Sequence, residues 1–251
     1  MLKTLALCLT LAAPLPQDDD PERTPPSAEQ VAAAVASIEA AIEAEDADAA
    51  LSAIQAAIEV PHEDVGEALA EVARDEDYDD VSLAAIDALG RLDHECGVEE
   101  LAKLHKKQAR KRGDDLDWSI TVYRALGRTG RVEALDVLGR EGLRRELPRR
   151  DNARLLAIGN IRHVDSVETL VKLYERVGRY TSNHYDEALQ VSIAALTGEV
   201  IQKGRRPLQD WWRDNKDDLE ISAVPPEIEN RRLRATWEAF WNPRQKDDGT
   251  R

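Results

Sequence analysis

Ala88-Leu89-Gly90-Arg91, Ala125-Leu126-Gly127-Arg128 and Ala157-Ile158-Gly159-Asn160 carry one local pattern three times, and Ala195-Leu196-Thr197-Gly198 is a fourth copy shifted by one residue. Four residues before the glycine register stand Ile86, Tyr123, Leu155 and Ile193. Each segment reads as a helix that buries one stripe and ends at a residue tolerant of the left-handed cap. A second ladder interleaves with the first. Val98-Glu99-Glu100-Leu101, Val132-Glu133-Ala134-Leu135 and Val167-Glu168-Thr169-Leu170 each open the helix that follows, and Glu67-Ala68-Leu69 is an earlier member. The leucines Leu69, Leu101, Leu135 and Leu170 are 32, 34 and 35 residues apart. Glutamate in a first turn suits the positive end of the helix dipole. Two ladders agreeing in period predict stacked pairs of amphipathic helices.

The spacing predicts helices near 28–44, 47–59, 63–74, 80–92, 97–112, 116–128, 131–145, 151–161, 165–177, 186–197, 207–215 and 227–241. The expected fold is all-α, a right-handed α-solenoid of antiparallel helix pairs over residues 28–221. Residues 222–251 are expected to form a capping helix and a polar tail. Trp211, Trp212, Trp237, Phe240 and Trp241 crowd into this end of the chain, and Trp237 and Trp241 share a helical face. Large side chains there would seal the open edge of the last pair, giving a Trp-rich C-terminal cap. An aromatic docking patch is the alternative.

Composition agrees with helices. The chain has 251 residues, 42% apolar but only 4% aromatic, with 33% charged and a formal net charge of −15. That excludes collagenous and polytopic membrane classes, and a core of Ala, Leu, Ile and Val favours helix over sheet.

The Ala-Leu-Gly-Arg helix ends and Val-Glu-x-Leu helix starts resemble HEAT repeats in their short bacterial form, over about residues 46–215. Leu196-Thr197-Gly198 followed by Trp211-Trp212 is similar to the closing segment of HEAT-like proteins that bacteria export. The resemblance implies a long curved surface of exposed helix faces, and a role in binding other proteins as a scaffold.

Met1-Leu2-Lys3 precedes the uncharged apolar run from Leu5 to Ala13, too short to span a bilayer. Residues 1–16 are therefore expected to be a signal peptide, and the mature protein periplasmic or extracellular. Residues 17–27, with Asp18-Asp19-Asp20 and three prolines, read as a disordered acidic linker. Ser27 with Gln30 reads as a capping box for the first helix. Cys8 lies within the leader, so the mature chain would keep only Cys96, read as an inert apolar residue.

Chemistry is sparse. Asp75, Asp77 and Asp79 match the first positions of a calcium loop, but Asp80 stands where glycine is required and Ile86 where glutamate is. Asp79 or Asp80 is better read as an N-cap of a helix starting near Val81. His94, Cys96 and His105 match no established ligand spacing. His62, His163 and His184 fall at turns and read as loop or capping residues. Nucleophile elbow, phosphate loop and dinucleotide fingerprint are all absent from the sequence. Neither enzyme activity, cofactor nor metal is expected.

Charge is the informative polar feature. Residues 17–100 hold 25 Asp and Glu against 3 Lys and Arg; residues 101–251 hold 24 against 30. Basic clusters stand at Lys103-Lys106-Lys107-Arg110-Lys111-Arg112 and at Arg140-Arg144-Arg145-Arg149-Arg150-Arg154. Such runs ordinarily solubilise a helix face. The functional alternative is an electropositive stripe for an acidic protein partner, with Lys106, Arg110, Arg140, Arg144, Arg145 and Arg154 as its residues. Nucleic acid is not the expected partner, because the whole chain is acidic and no aromatics alternate with the basic residues. No membrane span is expected. Head-to-tail pairing of the acidic N-terminal part with the basic middle is the other electrostatic reading.

Overall fold

The computed structural model describes residues 25–74, 79–112, 115–177 and 182–242. Among them all regular structure is helical. The α-helices are α1 (Ala28–Glu43), α2 (Ala47–Ala57), α3 (Glu63–Ala73), α4 (Asp79–Arg91), α5 (Cys96–Arg112) and α6 (Leu116–Arg128). They continue with α7 (Leu135–Leu138), α8 (Pro148–Ile158), α9 (Val164–Glu175), α10 (Asp186–Thr197), α11 (Arg205–Asn215) and α12 (Arg231–Trp241). One-turn 3-10 helices precede α7 at Val132–Ala134 and α10 at Ser182–His184. The leader 1–16, residues 17–24 of the linker and the calcium-loop candidates Asp75 and Asp77 lie outside the described residues.

The helix starts follow from local chemistry. The Ser27 hydroxyl accepts from the Gln30 amide while Gln30 Oε1 accepts from the Ser27 amide, a complete capping box. Three histidines do the same work. Nδ1 of His62, His94 and His163 accepts the backbone N–H two residues on, of Asp64, Cys96 and Asp165, at 3.1, 3.2 and 3.1 Å. These caps open α3, α5 and α9. Asp79 and Asp80 lie inside the first turn of α4 rather than capping it, so that helix starts earlier than the pattern predicts.

The helices pack in two rows. Odd-numbered helices meet the next odd one, α1 on α3, α3 on α5, α7 on α9 and α9 on α11, with the turn Val132–Ala134 joining α5 to α7. Even-numbered helices do likewise from α2 to α12, and the rows face each other through such pairs as α3·α4, α5·α6 and α8·α9. Leu69, Leu101, Leu135 and Leu170 fall on α3, α5, α7 and α9, all buried. The apolar residues of both rows form one continuous cluster.

The repeated glycines have another role than the expected one. Gly90 and Gly127 lie within α4 and α6, and Gly159 follows α8 in the right-handed region at φ −61°. Of these four glycines only Gly198, after α10, is a left-handed cap, at φ +80°. A Cβ on Gly90 would lie 2.5 Å from Ala125 Cα, one on Gly127 2.7 Å from the Ala157 carbonyl oxygen, and one on Gly159 2.7 Å from Ser192 Cα. The glycines of α4, α6 and α8 thus each sit on a small residue of the next even helix, and hydrogen in place of a side chain lets the backbones touch. By this register the fourth copy is Ser192-Ile193-Ala194, three residues before the one that the text suggests.

Two expected helices change. The helix predicted over 131–145 stops at Leu138, and residues 139–147 are irregular. Gly139 and Gly142 weaken helix there, and Pro148 at the first turn of α8 drives Leu147 out of the helical region, to φ −129° and ψ 49°. The last helix begins at Arg231, where Asn230 Oδ1 accepts from the Arg232 and Leu233 amides at 3.1 and 3.2 Å. Pro225 and Pro226 lie upstream of it, and Pro226 packs beside Gly198.

The aromatic side chains of α12 lie along the flank of the even row. Phe240 stacks under the Arg124 guanidinium, 5.3 Å from the ring centre, and Trp241 under that of Arg128 at 5.9 Å. Arg128 also donates to the Trp241 carbonyl at 3.0 Å, while Arg232 pairs with Glu187 and Thr236 donates to it. Since Glu187 belongs to α10 and Arg124 to α6, and α12 also packs on α8, the last helix crosses three members of the row.

Candidate functional site: a basic loop over a polar floor

Where α7 stops, the odd row carries an irregular loop, and the even helix beneath it changes character. On the other even helices the buried polar residues are serines, Ser82, Ser119 and Ser192. At the start of α8 they are Arg150, Asp151 and Arg154, whose relative exposures are 5%, 0% and 1%. Burying a guanidinium is costly unless its charge is paired and its donors are used. Here two guanidinium groups share one carboxylate. Arg150 Nη2 and Arg154 Nη2 stand 3.6 and 3.9 Å from Asp151 Oδ1, beyond hydrogen-bond reach.

The rest of this network holds the loop. Asp151 Oδ2 accepts the Arg144 backbone N–H in a short contact, the buried Tyr185 hydroxyl donates to the Arg144 carbonyl at 2.7 Å, and Arg154 Nη2 donates to the Glu141 carbonyl at 2.8 Å. Both backbone groups of Arg144 are therefore tied down by buried side chains. Its own side chain is exposed and pairs with Glu141 at 3.1 Å. Arg140, Arg145 and Arg149 are exposed beside it.

Tyr123 and His105 approach the floor from α6 and α5, their rings 5.7 Å apart. Burial lowers the His105 pKa below 6.5; Glu141 opposes this, while Arg150, Arg154 and Arg140 reinforce it. Burial raises the Tyr123 phenol, and pushes that of Tyr185 to about 12 with help from Asp151. The floor thus has neutral aromatic walls around a surplus of buried positive charge.

The six nominated residues do not share one surface. Arg140, Arg144 and Arg145 lie exposed on the loop, not on a helix, because α7 ends before them. Lys106 is exposed on α5, and the Arg110 side chain lies outside the described residues. Arg154 is a correction: at 1% exposure it belongs to the floor, because its position on α8 faces the covering loop. Lys103, from the same basic run as Lys106, is taken up by the buried Glu100, which binds it at 2.6 Å and Arg74 at 2.8 Å. The sequence reading missed Asp151, Tyr185, Tyr123 and His105 as a set. The available signal was Arg149-Arg150-Asp151-Asn152, a fully polar run where the period of α8 calls for buried positions.

Arg140 also edges an open groove of about 720 Å³ between α7 and α9, lined by Glu133, Asp136, Glu168, Lys172 and Arg176 among others. Its lining is mixed in charge.

The metal candidates are not brought together. His94 accepts from the Cys96 amide, the Cys96 thiol approaches the His62 carbonyl at 3.7 Å, and His105 faces Tyr123. Among the described residues no group of three His, Cys, Asp or Glu is placed to hold a metal ion. Burial, with nearby glutamates, raises the Cys96 thiol to about 11, so it stays protonated at neutral pH. No helix among the described residues is long and apolar enough to cross a membrane. The chain matches no protein-family model, no curated protein and no solved structure.

Proposed function

We propose that this chain is an exported, non-enzymatic scaffold, a right-handed HEAT-like solenoid that binds a protein partner through its extended helical surface. Packing chiefly between near neighbours from α1 to α11, with Leu69, Leu101, Leu135 and Leu170 in matching places, supports the solenoid. In this reading α12 first caps α10 and then runs back along the row. The docking point is the loop 139–147 with Arg149, and the partner offers an acidic segment.

One observation carries this reading. Arg140, Arg144, Arg145 and Arg149 project from a segment whose backbone is anchored by buried Asp151, Arg154 and Tyr185. Charge on a braced loop is a better docking element than charge on a freely moving one, because less ordering entropy is lost on binding. The test is crosslinking in the native compartment with the wild-type chain and with Arg140→Glu, Arg144→Glu and Arg145→Glu combined. Partners captured by the wild type should be lost from the triple variant, and the affinity of the recovered pair should fall steeply with salt. If every partner stays bound to the variant, the basic loop is not the docking point.

Head-to-tail self-assembly is the second reading, favoured by a net charge of −22 over residues 17–100 against +6 over 101–251. It makes the captured partner another copy of this chain, and the same crosslinking experiment separates the two readings.

A further inference from the structure

We infer that Arg150 and Arg154 form a receptor for one oxyanion, a carboxylate or phosphate group, beneath the loop 139–147, and that the acidic partner proposed above is held there by such a group. The second half rests on the docking reading; the first stands without it.

Each guanidinium carries five N–H donors in a planar fork. Arg150 Nε and Nη2 donate no hydrogen bond, and its side chain is only 7% exposed. Nε and Nη2 form one edge of the guanidinium, and that edge takes a carboxylate or phosphate through two parallel hydrogen bonds. Arg154 Nε is likewise unused, its Nη2 being spent on the Glu141 carbonyl. Asp151 satisfies neither arginine. Its Oδ2 is given to the Arg144 amide, and its Oδ1 accepts no hydrogen bond.

The neighbouring charges do not close the gap. The ionisable groups acting on this floor from α5, α6, the loop and the start of α10 are His105, Tyr123, Arg140, Glu141, Glu146 and Tyr185, the residue before α10. Of the two glutamates, Glu141 is already paired with Arg144. Two buried cations against one buried carboxylate leave an unmatched positive charge, and the first turn of α8 adds the positive end of a helix dipole. A second oxyanion on the Arg150 edge supplies what the floor lacks.

The test uses the full chain and inorganic phosphate, titrated at constant ionic strength against chloride, with acetate as a parallel arm. Saturable one-to-one binding by calorimetry, with a matching rise in Tm, is expected for at least one of the two anions. The arm that responds identifies the class. Arg150→Lys keeps the charge and removes the two-donor edge, so its binding should be about tenfold weaker, while Arg213→Ala, an exposed arginine on α11, stays within about twofold. If Arg150→Lys lacks the wild-type helical circular dichroism, Arg154→Lys replaces it. No saturable response in the wild type, or an equal response in the lysine variant, overturns the receptor. Partner capture that survives Arg150→Lys but is lost in the triple loop variant overturns only the second half and leaves the docking loop standing.

Discussion

Gly127 shows how much one hydrogen atom decides. Its backbone touches Ala157 of the next even helix, and the 2.7 Å that a Cβ would find to a carbonyl oxygen leaves no flexible side chain to move aside. Gly127→Ala should therefore cost about 1–3 kcal/mol through overpacking, even though alanine is the better helix former. Gly90→Ala, facing Ala125 Cα at 2.5 Å, belongs to the same class. Gly142→Ala meets open space and should change stability by less than about 0.5 kcal/mol. Urea unfolding of the three variants checks this, and equal effects at Gly127 and Gly142 would refute the close-contact account. The sequence marked these glycines as special but suggested the wrong reason. A left-handed cap is a property of one helix end and can be guessed locally, whereas a close approach depends on a neighbour some 30 residues away.

At the scale of elements, α10 and α6 were legible to the residue, since apolar period and end signals agree there. The helix over 131–145 was not. Leu135, Leu138, Leu143 and Leu147 continue an apolar pattern past the point where α7 stops. Periodicity says which residues seek burial and not which backbone carries them. Here Gly139, Gly142 and Pro148 oppose helix, and Asp151 offers the Arg144 amide a better acceptor. The candidate site was legible as a run of arginines but not as a buried network, because exposure cannot be read from a charge. Asp151→Asn tests that network. Removing the only carboxylate between Arg150 and Arg154 leaves buried charge uncompensated, a loss of about 3–5 kcal/mol. The loop should loosen first, so trypsin should cut at Arg144 or Arg145 much faster than in the wild type, with mass spectrometry locating the cut. An unchanged cleavage rate would mean that the loop is held by other contacts.

For the molecule as a whole, period and composition were enough for an all-helical chain, while the path of α12 was beyond them. Trp237 and Trp241 share a helical face and their rings lie 5.4 Å apart, as their spacing implies. Which surface that face covers is set by Arg124, Arg128 and Glu187, residues with no visible link to it in the sequence. Ending the chain after Asp218 should therefore be felt well beyond the last pair of helices. It uncovers Arg124 and Arg128 on α6 and removes the Ser222 carbonyl, to which Arg162 donates at 2.8 and 2.6 Å. Hydrogen exchange should quicken in α6, α8 and α10 and stay unchanged in α1 to α3. Acceleration confined to α10 would show that the crossing contacts carry no stability.

That crossing also bears on mechanics. A stack whose members touch only their neighbours bends like a coil spring, each joint yielding a little under load. α12 ties α6, α8 and α10 together from the side, so the C-terminal half should resist bending more than the acidic N-terminal half. Under tension, the first extension should come from α1 to α4, with the arginine-bearing loop still rigid and its spacing to α12 unaltered.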